Sequence, residues 1–446
     1  MTVTHDLAAL CQDTNTAFVL ALFVDLNGKP CAKLVPVAAV DELSADGMGF
    51  AGYAVGAIGQ TPKDPDLVAI PDPASFTPIP FVKPGLAIVH CDPHVLGRQW
   101  PFAPRNILKA VLQQVSDAGF EAWVGAEVEY FLLKKKPDGT LTTADTADTA
   151  AQPCYDARAV TRMYDHLTSI SDAMNSLGWG NYANDHEDGN GQFEQNFKFA
   201  DALTTADRVV TLRYLVSVLA AERAMIATFM PKPFADRTGN GLHLHLSLTS
   251  AGSAVFPGVE DERGLGLSEA AYGFVGGILD HAAGLQALIA PTVNSYKRTG
   301  TVSTASGASW APRAPTYGGN DRTHYVRVPD NQRIELRGGD GSANPYLAIA
   351  AALGAGMDGI KRNTDPGMIA ALDAARPALP LTLLHAVEHL ESDAVMTGVL
   401  DAALPPGDWA EGARVSDYYA ALKREEFFAW HSAVSPWEID TYLTAF

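Results

Sequence analysis

The stretch WVGAEVEYFLL, Trp123 to Leu133, sets two carboxylates in the middle of what otherwise reads as a buried strand. Side chains two apart on a strand point the same way. Glu127 and Glu129 therefore share one face of an apolar strand. Like charges that close, away from water, are costly unless something positive sits between them. A fold for this chain has to supply that charge.

Composition narrows what the charge can be. The chain has 446 residues, 47% of them hydrophobic, enough for a large core in two or three domains. The net charge of −19, from 51 acidic against 32 basic residues, argues against a nucleic-acid backbone or an anionic membrane as the main partner. It suits a protein that uses carboxylates to hold cations. Cys11, Cys31, Cys91 and Cys154 form no CxxC pair and read as free thiols in a reducing compartment. The opening MTVTHDLAALCQD lacks the basic and apolar segments of a signal peptide, and no apolar run is long enough to span a membrane. A cytoplasmic location is expected.

Along the chain, AFVLALFV (17–24) and PCAKLVPVAAV (30–40) read as strands of a hairpin around Asn27-Gly28. Strand-like pieces continue to AIVHCD (87–92), so residues 1–104 read as a small β-rich domain. From Pro104 the pattern turns helical as far as Gly119, and the glutamate strand follows. TTADTADTAA (142–151) is low-complexity and reads as an exposed loop. Helical periodicity covers 157–177, 202–228 and 264–289, and a further helix starts at Pro345. LHLHLSL (242–248) alternates as a strand. Helices mixed with antiparallel strands give an α+β class, with a catalytic domain over 105–446.

Four more stretches put polar groups where apolar ones belong. DHEDGNGQFEQNF carries Glu187 and Glu194 around a glycine-containing turn. GNGLHLHLSL puts His243 and His245 on one strand face, with leucines on the other. RIELR aligns Arg333, Glu335 and Arg337. NSYKRTG and DRTHYVR add Arg298, Arg322 and Arg327. Each alone has a plainer reading: a solvated strand edge, a satisfied core histidine, a cross-strand salt-bridge ladder, surface charge. Together they describe carboxylates and imidazole suited to hard divalent ions such as Mg²⁺ or Mn²⁺, beside guanidinium groups that match phosphate and carboxylate. Metals with arginines indicate phosphoryl transfer. GMGFAG (47–52) matches GxGxxG, but the VDELSAD before it is not a convincing strand and no helix clearly follows, so a Rossmann site is rejected. No GxxxxGK[ST] occurs, so ATP would bind without a P-loop.

The order EVE, HEDGNGQFE, GNGLHLHLS, NSYKR, DRTHYVR, RIELR, NPYL resembles glutamine synthetase across about 123–350, with a looser match in FAGYAVGAIG. The resemblance implies an N-terminal β-grasp domain and a catalytic domain with a curved antiparallel sheet. It implies a homo-oligomer of stacked rings, a dodecamer, with each active site between neighbouring subunits. Glu129, Glu187 and Glu194 match the ligands of a first metal, and Glu127, His243 and Glu335 those of a second. Arg298, Arg322 and Arg337 match the arginines on the glutamate carboxylate and the transferred phosphate; Arg327 matches one on the ATP phosphates. Gly239 matches a glycine whose backbone meets glutamate, and His245, Ser247 and Arg333 match nucleotide-side positions. The implied chemistry uses ATP to phosphorylate the γ-carboxylate of L-glutamate, after which an amine displaces phosphate.

Departures from the family bear on the amine. The N-terminal loop aspartate that helps bind ammonium in the neighbour's site is replaced by Ala51, and no acid occurs from Gly47 to Lys63. The flap TGTVSTASGASWAPRAP has no glutamate, and Thr304 aligns near the place of the usual one. Losing two carboxylates weakens an ammonium cage and frees volume, favouring a less polar amine oriented by Glu187 or Tyr155. FAGYA with HEDGNGQFE and a Ser/Thr flap resembles the γ-glutamylmethylamide synthetase and type III glutamine synthetase subgroup, so methylamine is the expected amine. Ammonia remains an alternative, with Asp188 or Asp64 serving it, as do ethylamine or a polyamine and a non-catalytic structural relative. Residues 360–380 contain no tyrosine, so control by adenylylation there is not expected.

Overall fold

Asn27-Gly28 closes the first hairpin as its sequence demands: Gly28 takes φ +80°, and its N–H donates to the Asp25 carbonyl at 2.9 Å. The computed structural model describes residues 6–299, 304, 310–369, 377–405 and 413–446. The hairpin strands Phe18–Val24 and Pro30–Pro36 pair antiparallel, and the first also runs parallel to Leu86–Val95. These strands belong to a mixed seven-stranded sheet. The expected second strand is shorter than its apolar run, because the chain turns helical over Val37–Ala39 and Val40–Asp46. VDELSAD is therefore helix, Met48–Phe50 is strand, and the four-residue helical turn Gly52–Val55 does follow the GxGxxG match.

The second sheet is eleven-stranded and centres on Glu121–Lys135. Gln192–Phe197 pairs antiparallel with one edge of this central strand and Leu242–Ser250 with the other. Arg333–Leu336 pairs with Leu242–Ser250, and Asn181–His186 with Gln192–Phe197. Behind the sheet, Pro345–Arg362 is a buried helix that begins on a proline and ends on Asn363 in the left-handed region. It packs on Pro104–Asp117 and on Glu269–Asp280. A Cβ at Gly277 would lie 2.1 Å from the Ala355 carbonyl, so glycine sets how closely Glu269–Asp280 approaches Pro345–Arg362.

Three expected stretches differ. The helix over 202–228 ends at Ala221; Ala224 turns left-handed at φ +53°, and Ile226–Thr228 pairs with Phe131–Leu133 as a strand. The 264–289 helix begins only at Glu269, because Asp261 ties the preceding loop by accepting from the backbone N–H groups of Arg263, Leu265 and Leu267. The 142–151 stretch is not simply an exposed loop. Leu141–Thr143 is a strand on the end of the central one, and Asp148 is buried. Most of the flap, 300–303 and 305–309, and residues 370–376 of the stretch without tyrosine lie outside the described residues. Among the described residues, no helix is long and apolar enough to cross a membrane.

Candidate active site

Strand register gathers the polar residues into one patch. Glu194 lies opposite Glu129, Asp185 opposite Glu194, His243 opposite Glu127, and Glu335 opposite His245. The alternation that buries Leu242, Leu244, Leu246 and Leu248 on one face sends the histidines to the other. Glu187 arrives on the turn between Asn181–His186 and Gln192–Phe197, where its N–H donates to the Gln192 carbonyl at 2.9 Å.

Three sets bring ligand atoms within 4.8 Å of one another: Glu129, Glu187 and Glu194; Glu127, Glu194 and His243; Glu127, His245 and Glu335. The first is the set matched to the first metal. The second matched set is split: His243 Nδ1 lies 3.1 Å from Glu127 Oε2 but 3.8 Å from Glu335 Oε1. Glu335 instead accepts from Arg337 Nη1 at 2.5 Å and Arg327 Nη1 at 2.6 Å. His245 Nε2 is 2.9 Å from Glu127 Oε1, so this histidine faces the acidic cluster as well as the neighbouring cavity.

The electrostatics fit a site for divalent cations. Burial, then the charges of Glu129, Asp185 and Glu127, push the Glu187 carboxyl up to about 8. Burial and the same crowding hold Glu194 well above the usual range. Burial works against ionised Glu127 too, but hydrogen bonds from His243 and His245 outweigh it and hold this carboxyl well below its usual range. Oxygen and imidazole donors so crowded suit Mg²⁺ or Mn²⁺, and among the described residues none of the three donor sets includes a cysteine.

Two cavities meet at Glu127. The first, about 260 Å³, is bordered by Glu129, Glu187, Glu194 and His243 on one side and by Arg298, Arg322, Arg337 and Gly239 on another. Tyr155, Thr304 and Asp188 border it too. The second, about 540 Å³, is lined by His245, Ser247 and Arg333 with the rings of Trp123, Tyr182 and Phe199. Arg327 borders neither; it is turned onto Glu335 and Asn320. Ala51, between the strand Met48–Phe50 and the helical turn Gly52–Val55, is exposed and borders neither cavity within one chain. Asp64 is likewise exposed, accepting from Thr61 N.

Sequence reasoning passed over several groups that hold the site. The Gln192 amide lies 3.0 Å from Glu129 Oε2 and 3.1 Å from the Gly239 carbonyl, and it accepts from Thr238 and from Gly189 N. Asp148 lies 2.8 Å from His186 Nε2 and accepts from Asn190 Nδ2 and Gly191 N, gripping the turn that carries Glu187. Trp310 Nε1 donates to Asp188 at 3.1 Å beside the first cavity. Gln192 was visible inside DHEDGNGQFEQNF, but nothing in the repeats of TTADTADTAA marks Asp148.

Comparison with known proteins agrees with this geometry. Residues 101–442 match the family described as glutamine synthetase, catalytic domain. A glutamine synthetase of Rhizobium leguminosarum bv. phaseoli is 40% identical over 99% of this chain and 100% of its own. A glutamate–methylamine ligase of Methyloversatilis universalis is 39% identical over 98% of each chain. A solved GmaS/ADP complex superposes with a TM-score of 0.90 at 44% identity, covering 99% of this chain and 100% of that one.

Proposed function

This chain belongs to the glutamine synthetase family, an ATP-dependent ligase class, and we propose that it joins methylamine to the γ-carboxylate of L-glutamate, giving γ-glutamylmethylamide. The observation that carries the reading is the first cavity, where carboxylates able to hold divalent ions and the arginines Arg298, Arg322 and Arg337 line one space that shares Glu127 with a larger, ring-lined cavity. The ligase relative and the GmaS structure support methylamine as the amine, and so does the absence of an acid near Ala51.

The roles follow from placement. ATP lies in the second cavity against His245, Ser247 and Arg333, with its phosphates directed toward Glu127. Glutamate lies in the first, its backbone end against Gly239 and its charges on Arg298, Arg322 and Arg337. Glu129, Glu187 and Glu194 would hold one Mg²⁺ or Mn²⁺, and Glu127 and His243 a second, with Glu335 joining them once released from Arg327 and Arg337; such ions would supply charge neutralisation between the two anionic substrates. A γ-carboxylate oxygen takes the terminal phosphoryl group as the bond to ADP breaks. The amine lone pair then forms the C–N bond, phosphate leaves, and the nitrogen's proton passes to a base. Glu187, Asp188, Asp185 and Tyr155 border the space where the amine approaches. We place a domain boundary near residue 104 and assign a homo-oligomer of stacked rings, twelve subunits, with Ala51 reaching the neighbour's amine pocket.

Glutamine synthetases match at the same level as the methylamine ligase, so the deciding experiment compares amines. With ATP, glutamate and Mg²⁺ or Mn²⁺, kcat/KM is expected to favour methylamine over ammonia by about tenfold or more, the scale on which a pocket resolves one methyl group. A preference for ammonia would overturn the methylamine reading and leave the ligase standing; no turnover with any amine would overturn both.

A further inference from the structure

Lys232 sits in MPKPF, in the loop between Ile226–Thr228 and Leu242–Ser250. The residue is only 6% exposed, yet it borders the first cavity beside Thr238, Gly239 and Arg298. Its Nζ has no hydrogen-bond partner among the described residues, and neither has Arg298 Nη1 in the same wall. The acid that acts on it most, Asp236, is largely exposed and pairs with Arg237 Nε at 3.9 Å. A buried ammonium left without an anion is expensive. With Arg298 Nη1 also unpartnered in the same cavity wall, although Glu129 and Asp340 act on the rest of that guanidinium, Lys232 describes a place prepared for an anion that arrives from outside.

The backbone keeps them together. Lys232 N donates to Asn294 Oδ1 at 2.7 Å, and Asn294 Nδ2 donates back to the Lys232 carbonyl at 3.1 Å. Asn294 immediately precedes the short helix Ser295–Thr299 that carries Arg298. Asn240 N donates to the Pro231 carbonyl at 2.8 Å. A Cβ on Gly239 would lie 2.2 Å from that carbonyl oxygen and 3.0 Å from Arg298 Cγ. The lysine loop, Gly239 and Arg298 are thus one packed unit.

We propose that Lys232, with Arg298, binds the α-carboxylate of glutamate and so selects for a substrate that carries one. This rests on the ligase reading. The γ-carboxylate must face the acidic cluster, where the phosphoryl group arrives past Glu127. That directs the other end of glutamate toward Gly239 and Arg298, on the wall Lys232 shares. Lys232 does not border the ring-lined cavity, which sets it apart from the nucleotide.

The test compares glutamate with 4-aminobutanoate, which keeps the reacting carboxylate and lacks the α one. In Lys232→Met, the KM for glutamate should rise about tenfold or more while those for ATP and methylamine hold, since a site built for a polar group rejects an analogue lacking it far more strongly than an apolar pocket does. The preference for glutamate over 4-aminobutanoate should shrink by the same factor, and Lys232→Arg should restore part of both. A structural role would lower both acids' kcat/KM alike; an unchanged preference in an active variant overturns the inference alone. A fall in kcat with an unchanged KM for glutamate would put Lys232 on the phosphoryl group and also overturn it. Wild-type enzyme that does not turn over glutamate removes the ligase reading and this one with it. Lys232→Gln serves for the same comparison if Lys232→Met loses its native melting transition.

Discussion

Asp148 shows how far from the chemistry a needed side chain can lie. It borders neither of the two cavities, yet its carboxylate engages His186, Asn190 and Gly191 at the base of the turn bearing Glu187. Partners that orient metal-ligand segments in this way cost about 10–100-fold in activity or metal affinity when replaced. Asp148→Asn is expected to fall in that range in kcat/KM and in Mn²⁺ affinity measured by titration, with the fold retained by circular dichroism. The glutamates and histidines were legible because each breaks an apolar alternation: EVE, HLHLS and RIELR are anomalies against their own strands. Asp148 and Lys232 break no pattern. A polar residue in a polar stretch carries no signal until the chain brings it under something else.

Between elements, His281 ends Glu269–Asp280 and begins Ala282–Ile289. Its ring lies 3.0 Å from Asp358, on Pro345–Arg362, and 2.8 Å from Asp393, which caps Ala394–Leu400. Arg362 also pairs with Asp358, at 2.6 Å. Burial works to lower the imidazole's affinity for its proton, but the two carboxylates outweigh it and raise it above its ordinary value. The charged ring therefore stabilises the fold fully below the unfolded value of about 6.5, and that contribution is lost as pH rises through the higher folded one. His281→Gln should cost about 1 kcal/mol at pH 6, partly screened by solvent, and should flatten the decline in Tm between pH 6 and 8.5 seen by calorimetry. Strands and the longer helices were readable from periodicity. The helix boundaries at 221 and 269 were not, because a left-handed Ala224 and the Asp261 loop set them, and neither announces itself in hydrophobic spacing.

At the scale of the whole molecule, the last helices expose a run of apolar side chains among the described residues, with Val434 at 71%, Trp437 at 64% and Leu443 at 73% exposure, after Phe428 and Trp430 in the chain. A patch of this kind marks a contact with another protein surface, and the stacked-ring reading supplies a second copy of this chain. Removing residues 434–446 is expected to yield a smaller assembly than the full chain in analytical ultracentrifugation; an unchanged mass would place the subunit contacts elsewhere. Ala51 belongs to the same scale, since within one chain it borders neither cavity. Ala51→Asp should move the kcat/KM ratio toward ammonia, and an unmoved ratio would separate this loop from the amine pocket. Glu127 carries a different consequence. One carboxylate is part of two rooms, and the two histidines on it look into both, so filling either room rearranges the charge felt in the other. Whatever factor nucleotide gives to glutamate affinity, glutamate must return to nucleotide.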